Sequence, residues 1–346
     1  MPKDNENVPL PDWTTDDLDN SAASAFAPEQ MVRCEECLRA NPPTRVNCLY
    51  CAAALPPNET IVALQKPALR PLEKWEQGYN NILLPPSANL TEANLAEASN
   101  ILRLRSEDLA RILSSAIPLP LARAATIDEA RLVKRRLSSL GIDSRIMPDS
   151  EAESVKVRAL DIDDEGIYAY QTPETPSIQV LWSDFVLFVV GRLIVKRVEL
   201  KEHKGARAEN RILGASEFVT DETVVDFYSR KHSTPYRIES NSFDFSCLGA
   251  KKGLLAAENI SRLLLLLRER TPNAEYDESF NAVRKALESV WPSEQQNESS
   301  GWRRERPGKY SIGTVMELNN EMQFSRYSRL RHHFVTGVGT GTDEDA

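Results

Sequence analysis

The sequence predicts a multi-domain protein of the α+β class, and three observations lead to this prediction. Its 346 residues leave room for two or three domains at roughly 100–200 residues each. Hydrophobic residues make up 41% and charged residues 27% of the chain, a composition typical of globular proteins. Four of the five cysteines fall within 18 residues, and helical patterns give way to strand patterns near residue 152.

The overall charge and hydropathy narrow the class of function. The chain has 42 Lys and Arg against 51 Asp and Glu, a net charge of −9, whereas a general nucleic-acid binder is expected to be basic. The longest apolar runs, Phe185–Val190 and Leu263–Leu267, are far shorter than a transmembrane helix of about 20 residues. The acidic start of the chain carries no apolar signal core, so we expect a cytoplasmic protein.

Two segments lack the patterns of folded structure. Residues 1–30 contain seven acids and one lysine without sustained periodicity, so we expect a disordered acidic leader. Residues 56–75 contain four prolines, which predicts a linker.

Between these segments lies a cysteine cluster with metal-ligand spacing. Cys34, Cys37, Cys48 and Cys51 follow the pattern C-x2-C-x10-C-x2-C. Two pairs of thiolates on tight turns complete the tetrahedral sulfur shell that Zn²⁺ prefers. We therefore predict one structural zinc ion, with all four positions filled by protein. Iron, redox-active thiols and disulfides are the alternatives, and disulfides are rare in a reducing compartment.

The stretch 31–55 resembles the small zinc ribbons of many bacterial proteins. The match includes Asn41-Pro42 between the two cysteine pairs and Leu55 after the last one. It departs at Leu38 and Ala52, which stand where such ribbons usually have glycine. Glycine relieves strain where the backbone turns tightly, so we expect an altered geometry at these two positions.

The same spacing is also similar to Ran-binding-protein-type zinc fingers, which bind single-stranded RNA or ubiquitin. Asn41 matches their pattern, but the aromatic platform of the RNA-binding members is replaced by Val32. Stacking on bases needs a flat π face. Binding of nucleic acid thus remains an alternative, with phosphate contacts from Arg33, Arg39 and Arg45.

Residues 76–150 predict a small α/β module with a strand–helix–strand core. Thr126 and Glu129 form a capping box at the start of its clearest helix, and Gly141 is placed to end it. Asp128-Glu129-Ala130 and Gly141-Ile142 give it a resemblance to small prokaryotic modules described as signal-transducing or adaptor domains.

Residues 152–292 predict a β-rich domain that ends in helices. The turn Asp163–Gly166 joins two strands, Phe185–Val190 is a buried strand, and a helix follows with apolar residues at helical spacing. The order of strands and a closing helix resembles the pleckstrin-homology-like architecture, in which the helix closes one end of a β-sandwich.

The remainder, 293–346, predicts a flexible tail with a spacer over 293–312. A short docking helix is expected near 319–334, because apolar residues recur there at helical spacing, namely Phe324, Tyr327, Leu330 and Phe334.

A basic segment at 192–211 offers a second alternative function. It holds seven basic residues, Arg192, Lys196, Arg197, Lys201, Lys204, Arg207 and Arg211. Basic hairpins of pleckstrin-homology-like domains can bind acidic lipid headgroups, so a membrane-surface sensor is the corresponding hypothesis. Three glutamates are interleaved with these bases, which favours a solvated surface instead.

We expect a non-enzymatic interaction, scaffold or regulatory protein. The sequence shows no phosphate-binding loop, nucleophile elbow, kinase signature or HExxH motif. The zinc ribbon would present a surface to a protein partner. The predicted contacts are the residues exposed around the cysteine turns, Glu35, Glu36, Arg39, Arg45 and Tyr50.

Overall fold

The computed structural model describes Pro28 and residues 31–56 without 44 and 46, and then 67–73 without 68, 76–85 and 90–149. It continues with 153–299 without 173 and 206–210, then 303–306 and 309–337. The predicted leader, apart from Pro28, and most of the predicted linker lie outside these residues. The chain divides into two compact units, Met1–Lys66 and Pro67–Ala346. Both helices and several sheets are present, which confirms the mixed α+β class.

The first unit is built around two short strands. β1 (Val32–Arg33) and β2 (Ala40–Asn41) pair antiparallel, and an isolated bridge joins Asn47 to Ala54. Its small core consists of four buried side chains, Val32, Cys34, Cys48 and Leu55. A core of this size cannot hold a fold by burial alone, because small domains usually need a metal or disulfides for stability.

The second unit begins with a three-stranded antiparallel sheet in the order β4-β3-β5. Its strands are β3 (Tyr79–Leu83), β4 (Pro120–Ala124) and β5 (Ser144–Pro148). Three helices accompany it, α1 (Glu92–Leu102), α2 (Ser106–Ser114) and α3 (Ile127–Ser139). The predicted strand–helix–strand core corresponds to β4, α3 and β5 in chain order. In the sheet, β3 lies between β4 and β5.

Two of the local signals that predicted α3, Thr126 and Gly141, act as expected, whereas Glu129 bonds to the N–H one residue before the one that a capping box uses. The Thr126 hydroxyl accepts a hydrogen bond from the backbone N–H of Glu129 over 3.2 Å. The Glu129 carboxylate accepts one from the N–H of Ala125, also over 3.2 Å. Gly141 follows the helix with φ of 85°, a left-handed conformation that glycine adopts without steric cost.

The largest sheet runs in the order β14-β16-β10-β11-β12-β6, with β13 beside β10 and β15 beside β16. Its two longest strands, β10 (Phe185–Gly205) and β11 (Arg211–Ser229), form one long hairpin. The others are β6 (Val155–Val157), β12 (His232–Glu239), β13 (Glu275–Asp277), β14 (Glu294–Ser299), β15 (Arg303–Arg306) and β16 (Lys309–Asn319).

A second three-stranded sheet contains β7 (Ala159–Ile162), β8 (Gly166–Tyr170) and β9 (Ile178–Leu181). Helix α4 (Ala256–Arg270) shares a buried core with this sheet and with the adjoining parts of β10, β11 and β12. A helix on a strand-rich core agrees with the expected order of elements. The pleckstrin-homology-like resemblance itself stays a prediction.

Another buried core joins the small α/β sheet to the large sheet. Leu121 of β4 belongs to the same cluster as Leu187 of β10 and Phe280 of α5 (Phe280–Leu287). The boundary expected near residue 150 therefore falls inside one compact unit. The reason is that α5 and the last helix bury their apolar faces against both sheets.

The segment after residue 293, expected as a flexible spacer, contains the strands β14, β15 and β16. β16 pairs with β10 from Val195 to Gly205, so pairing with a long neighbouring strand orders a segment whose polar sequence does not predict a strand. The expected docking helix is α6 (Glu321–Thr336). It packs so closely on the sheet at Gly191 that a Cβ atom there would lie 2.5 Å from the Phe324 ring.

No helix in the described ranges has the length and apolar character needed to cross a bilayer.

Candidate metal centre

The first cysteine pair lies on a tight turn directly after β1. The N–H of Leu38 donates to the carbonyl of Cys34 over 2.9 Å, and the N–H of Cys34 donates to the carbonyl of Arg39 over 3.0 Å. These bonds close the backbone around Cys34 and Cys37, so both thiols point to the same side. Leu38 has φ of 60°, the left-handed conformation that the missing glycine would adopt freely.

The second cysteine pair repeats this geometry. The N–H of Ala52 donates to the carbonyl of Cys48 over 3.0 Å, and the N–H of Cys48 donates to the carbonyl of Ala53 over 2.8 Å. Ala52 also has φ of 60°. The left-handed region costs a residue with a Cβ atom roughly 1–2 kcal/mol. Both departures from the glycine pattern therefore lie where the sequence predicted strain.

The two turns bring all four thiols together, as the sequence predicted. The sulfur atoms of Cys34 and Cys51 are 3.5 Å apart, as are those of Cys37 and Cys48, and all four lie within 4.8 Å of one another. A tetrahedral site with metal–sulfur bonds of about 2.3 Å places its sulfur atoms roughly 3.8 Å apart. The cluster can therefore hold one metal ion.

Asn41 connects the two turns from between them. Its side chain is fully buried, and its amide donates to the carbonyl of Arg39 over 2.9 Å and to the sulfur of Cys48 over 3.4 Å. Its side-chain oxygen accepts from the N–H of Leu49 over 2.8 Å. The sequence identified Asn41 only as part of a family pattern, whereas the structure shows why an amide fits here: it needs both donors and an acceptor.

The thiols differ in their acidity. Burial raises the pKa of Cys48, but the backbone N–H groups of Tyr50 and Cys51, together with the Asn41 amide, lower it to about 6 overall. The N–H of Ala53 lowers the pKa of Cys51, but burial and the neighbouring thiols raise it to about 12. Without a cation the cluster therefore keeps protons, and a metal that binds all four sulfur atoms must displace them.

The predicted contact residues surround these turns. Glu35, Glu36, Arg39 and Arg45 are exposed. Tyr50 is 56% exposed, and the Arg39 guanidinium lies over its ring at 4.7 Å from the centroid. Whether they bind a partner stays a prediction.

Sequence reasoning missed two apolar side chains on the same turns. Leu38 is 68% exposed and Leu49 is 53% exposed. Both directly follow a cysteine of the cluster. Their position next to a cysteine of the cluster is the signal that could have identified them.

The nucleic-acid alternative gains no stacking platform at the position of Val32. Val32, at the position of the aromatic platform in the RNA-binding fingers, is only 6% exposed and belongs to the small core.

The basic segment proposed for acidic lipids is paired with acids where its side chains are described. Arg192 lies 3.4 Å from Asp221 and Lys196 lies 2.9 Å from Glu217, while Arg197 lies 3.0 Å from Glu199 on its own strand. The side chains from Lys201 to Arg211 lie outside the described part. Paired charges attract an acidic surface less than free ones do.

Comparison of this chain with known protein families, curated proteins and solved structures found no match.

Proposed function

We propose that this protein binds one structural Zn²⁺ ion and uses the metal-stabilised turns to present a protein-binding surface. The observation that carries the proposal is the convergence of four cysteine sulfur atoms within 4.8 Å. Four thiolates favour Zn²⁺ over harder cations, and a shell filled by protein leaves no open position for substrate or water. A structural role follows from that saturation.

The surface itself consists of exposed side chains on rigid turns, namely Leu38, Leu49, Tyr50, Arg39 and the pair Glu35 and Glu36. Interfaces are enriched in aromatic, apolar and arginine side chains surrounded by charges. Because the metal holds the turns, these side chains lose little conformational freedom when a partner binds. A reducing compartment such as the cytoplasm keeps the thiols available for the metal.

Metal analysis of the purified full chain is the first test. We expect one zinc per chain by elemental mass spectrometry, and loss of that zinc in the variant Cys34→Ser/Cys48→Ser. A preparation that copurifies with iron, or that holds no metal after exposure to zinc, would contradict the metal assignment.

The partner surface is tested with the metal site intact. The variant Leu38→Ser/Leu49→Ser/Tyr50→Ser should keep its zinc and lose specific partners captured from lysate treated with nuclease. The matched control is Leu254→Ser/Leu265→Ser, which removes two exposed leucines from the second unit. Equal capture of partners by both variants would show that the turns do not bind protein. Salt-dependent retention of the unaltered protein on immobilised RNA would indicate binding of nucleic acid instead.

A further inference from the structure

A cavity of about 460 Å³ lies within the second unit, lined by β4, the end of α1, α6 and the segment after α5. Much of its wall is apolar, with Leu69, Leu102, Leu121, Val290 and Met322 among the lining side chains. The volume lies within the range of small-molecule sites, which are typically mostly apolar with a few polar groups that orient the ligand.

The orienting group here is Arg326 on α6. Its side chain lines the cavity and is partly buried. Throughout the described ranges no acid forms an ion pair with its guanidinium and no acceptor forms a hydrogen bond with it. Leaving a charged group partly desolvated without a counter-ion is unfavourable, so an anion that enters the cavity would stabilise it.

Two of the other three arginines that line the cavity already have partners, and the third, Arg103, is exposed to solvent. Arg123 lines the same cavity, but its Nε lies 2.8 Å from the carboxylate of Asp149. Burial raises the pKa of Asp149, but Arg123 and Asn80 outweigh it and hold that pKa below its usual value. Arg70 donates to the carboxylate of Glu76 over 2.8 Å. These two guanidinium groups are therefore satisfied by protein.

The nearby acids do not replace a ligand at Arg326. The Glu288 carboxylate accepts hydrogen bonds from Ser293 over 2.9 Å and from Gln323 over 3.2 Å. Burial and the positive charge of Arg123 lower the pKa of Arg326, while Asp149 and Glu294, which also lines the cavity, act in the opposite direction. The balance favours an added negative charge beside Arg326.

We propose that this cavity binds an amphipathic monocarboxylate, with its carboxylate on Arg326 and its hydrocarbon tail against the leucines and Met322. The planar guanidinium matches a carboxylate with two parallel hydrogen bonds. A small inorganic anion would leave the apolar wall uncovered, whereas each methylene group buried there adds about a fourfold gain in affinity. The site is independent of the cysteine cluster and of the function proposed for it.

Decanoate is a suitable probe, titrated by calorimetry into the full chain below its micelle concentration. We expect saturable binding with one site per chain, stronger binding as the chain length rises from hexanoate to decanoate, and no binding of acetate or inorganic phosphate. Arg326→Met should weaken decanoate binding about 10- to 100-fold, the effect of losing a charged hydrogen-bond partner.

Arg329→Met is the matched control, because Arg329 is partly buried on the same helix but outside the lining of the cavity, where it donates to the carbonyl of Glu153. It should bind decanoate as the unaltered protein does. Met322→Trp fills the cavity and should abolish binding while Arg326 remains. Thermal melting of each variant establishes that it is folded.

Three results would overturn the proposal. They are absence of decanoate binding to the unaltered protein, equal affinity of decanoate and decanol, and equal loss of affinity in Arg326→Met and Arg329→Met. If Arg326→Met does not fold, the comparison of decanoate with decanol and the Met322→Trp variant still decide the outcome.

Discussion

Trp291 donates its indole N–H to the side-chain oxygen of Asn80 over 2.9 Å, although 211 residues separate them in the chain. Both side chains are buried. Asn80 lies on β3 of the small sheet, and its amide also donates to the carboxylate of Asp149 over 2.7 Å. This hydrogen bond thus ties the segment after α5 to the small sheet.

Replacing Trp291 with Phe should lower the free energy of unfolding by about 1–3 kcal/mol, because the Asn80 oxygen would stay buried without a donor. Urea denaturation measures the change. Trp182→Phe is the control. The Trp182 indole N–H donates to the carbonyl of Asp163 near the surface, so water can donate to that carbonyl in the variant. Equal losses in both variants would mean that ring volume, not the hydrogen bond, matters.

The ion pair between Asp226 and Arg237 provides a second prediction. The two residues lie opposite each other on β11 and β12, both side chains are at most 1% exposed, and Arg237 also donates to Ser325 of α6 over 2.9 Å. Asp226→Asn should cost up to roughly 3–5 kcal/mol in urea denaturation, because the buried Arg237 guanidinium would keep only Glu321, 3.3 Å away and about half exposed, as a counter-ion.

Asp221→Asn is the control for that variant. Its partner Arg192 lies 3.4 Å away on the surface, and exposed pairs contribute about 1 kcal/mol or less. If Asp226→Asn also lowers the free energy of unfolding by less than about 1 kcal/mol, the buried pair contributes no more stability than an exposed one.

The strained turns predict an unusual gain of affinity. Leu38→Gly and Ala52→Gly should each tighten zinc binding about fivefold in competition with a chelator, because glycine removes roughly 1 kcal/mol of strain at φ of 60°. Ala40→Gly, an exposed strand residue of the same unit, should not tighten it. Unchanged affinity in both turn variants would argue that the turns carry no strain.

Asn41→Ala should weaken zinc binding about 10- to 100-fold, the usual effect of removing a group that orients a metal ligand. Asn47→Ala is the matched control, because Asn47 is exposed and its amide donates at the surface to the carbonyl of Ala52 over 3.3 Å. If the two variants lose affinity equally, Asn41 has no special role in joining the turns.

The stability of the second unit should decrease in mild acid. Burial, with help from His333 and Arg329, lowers the pKa of His332 from 6.5 to about 4. Between these two pH values the unfolded chain binds a proton that the folded chain excludes, so the free energy of unfolding falls as the pH drops through this range. Solvent screening at this partly exposed group limits the loss to about 1–2 kcal/mol.

His332→Phe separates this effect from other titrations. It keeps a ring against Tyr228, whose centroid lies 4.2 Å from that of His332. As the pH falls from 6.5 to 5, the free energy of unfolding measured by urea denaturation should decrease less for this variant than for the unaltered protein. Identical curves would assign the acid sensitivity to other groups, including His333.

Local signals in the sequence predicted part of this structure. The spacing of four cysteines predicted their convergence, and Thr126, Glu129 and Gly141 predicted the limits of α3. Such signals succeed because a turn or a cap depends on hydrogen bonds between residues a few positions apart. The strained positions Leu38 and Ala52 could be identified for the same reason.

Only the tertiary structure decided the rest. Pairing with β10 makes strands of a segment that the sequence presents as a spacer, and α6 brings Arg326 to a cavity lined by residues far away in the chain. The partners of Asn80 and Asp226 are likewise set by the packing of distant elements. Charge, burial and hydrogen bonding at these positions depend on neighbours that no local pattern specifies. The sequence therefore determined which cysteines converge, whereas the fold determined the cavity and the position of Arg326 in it.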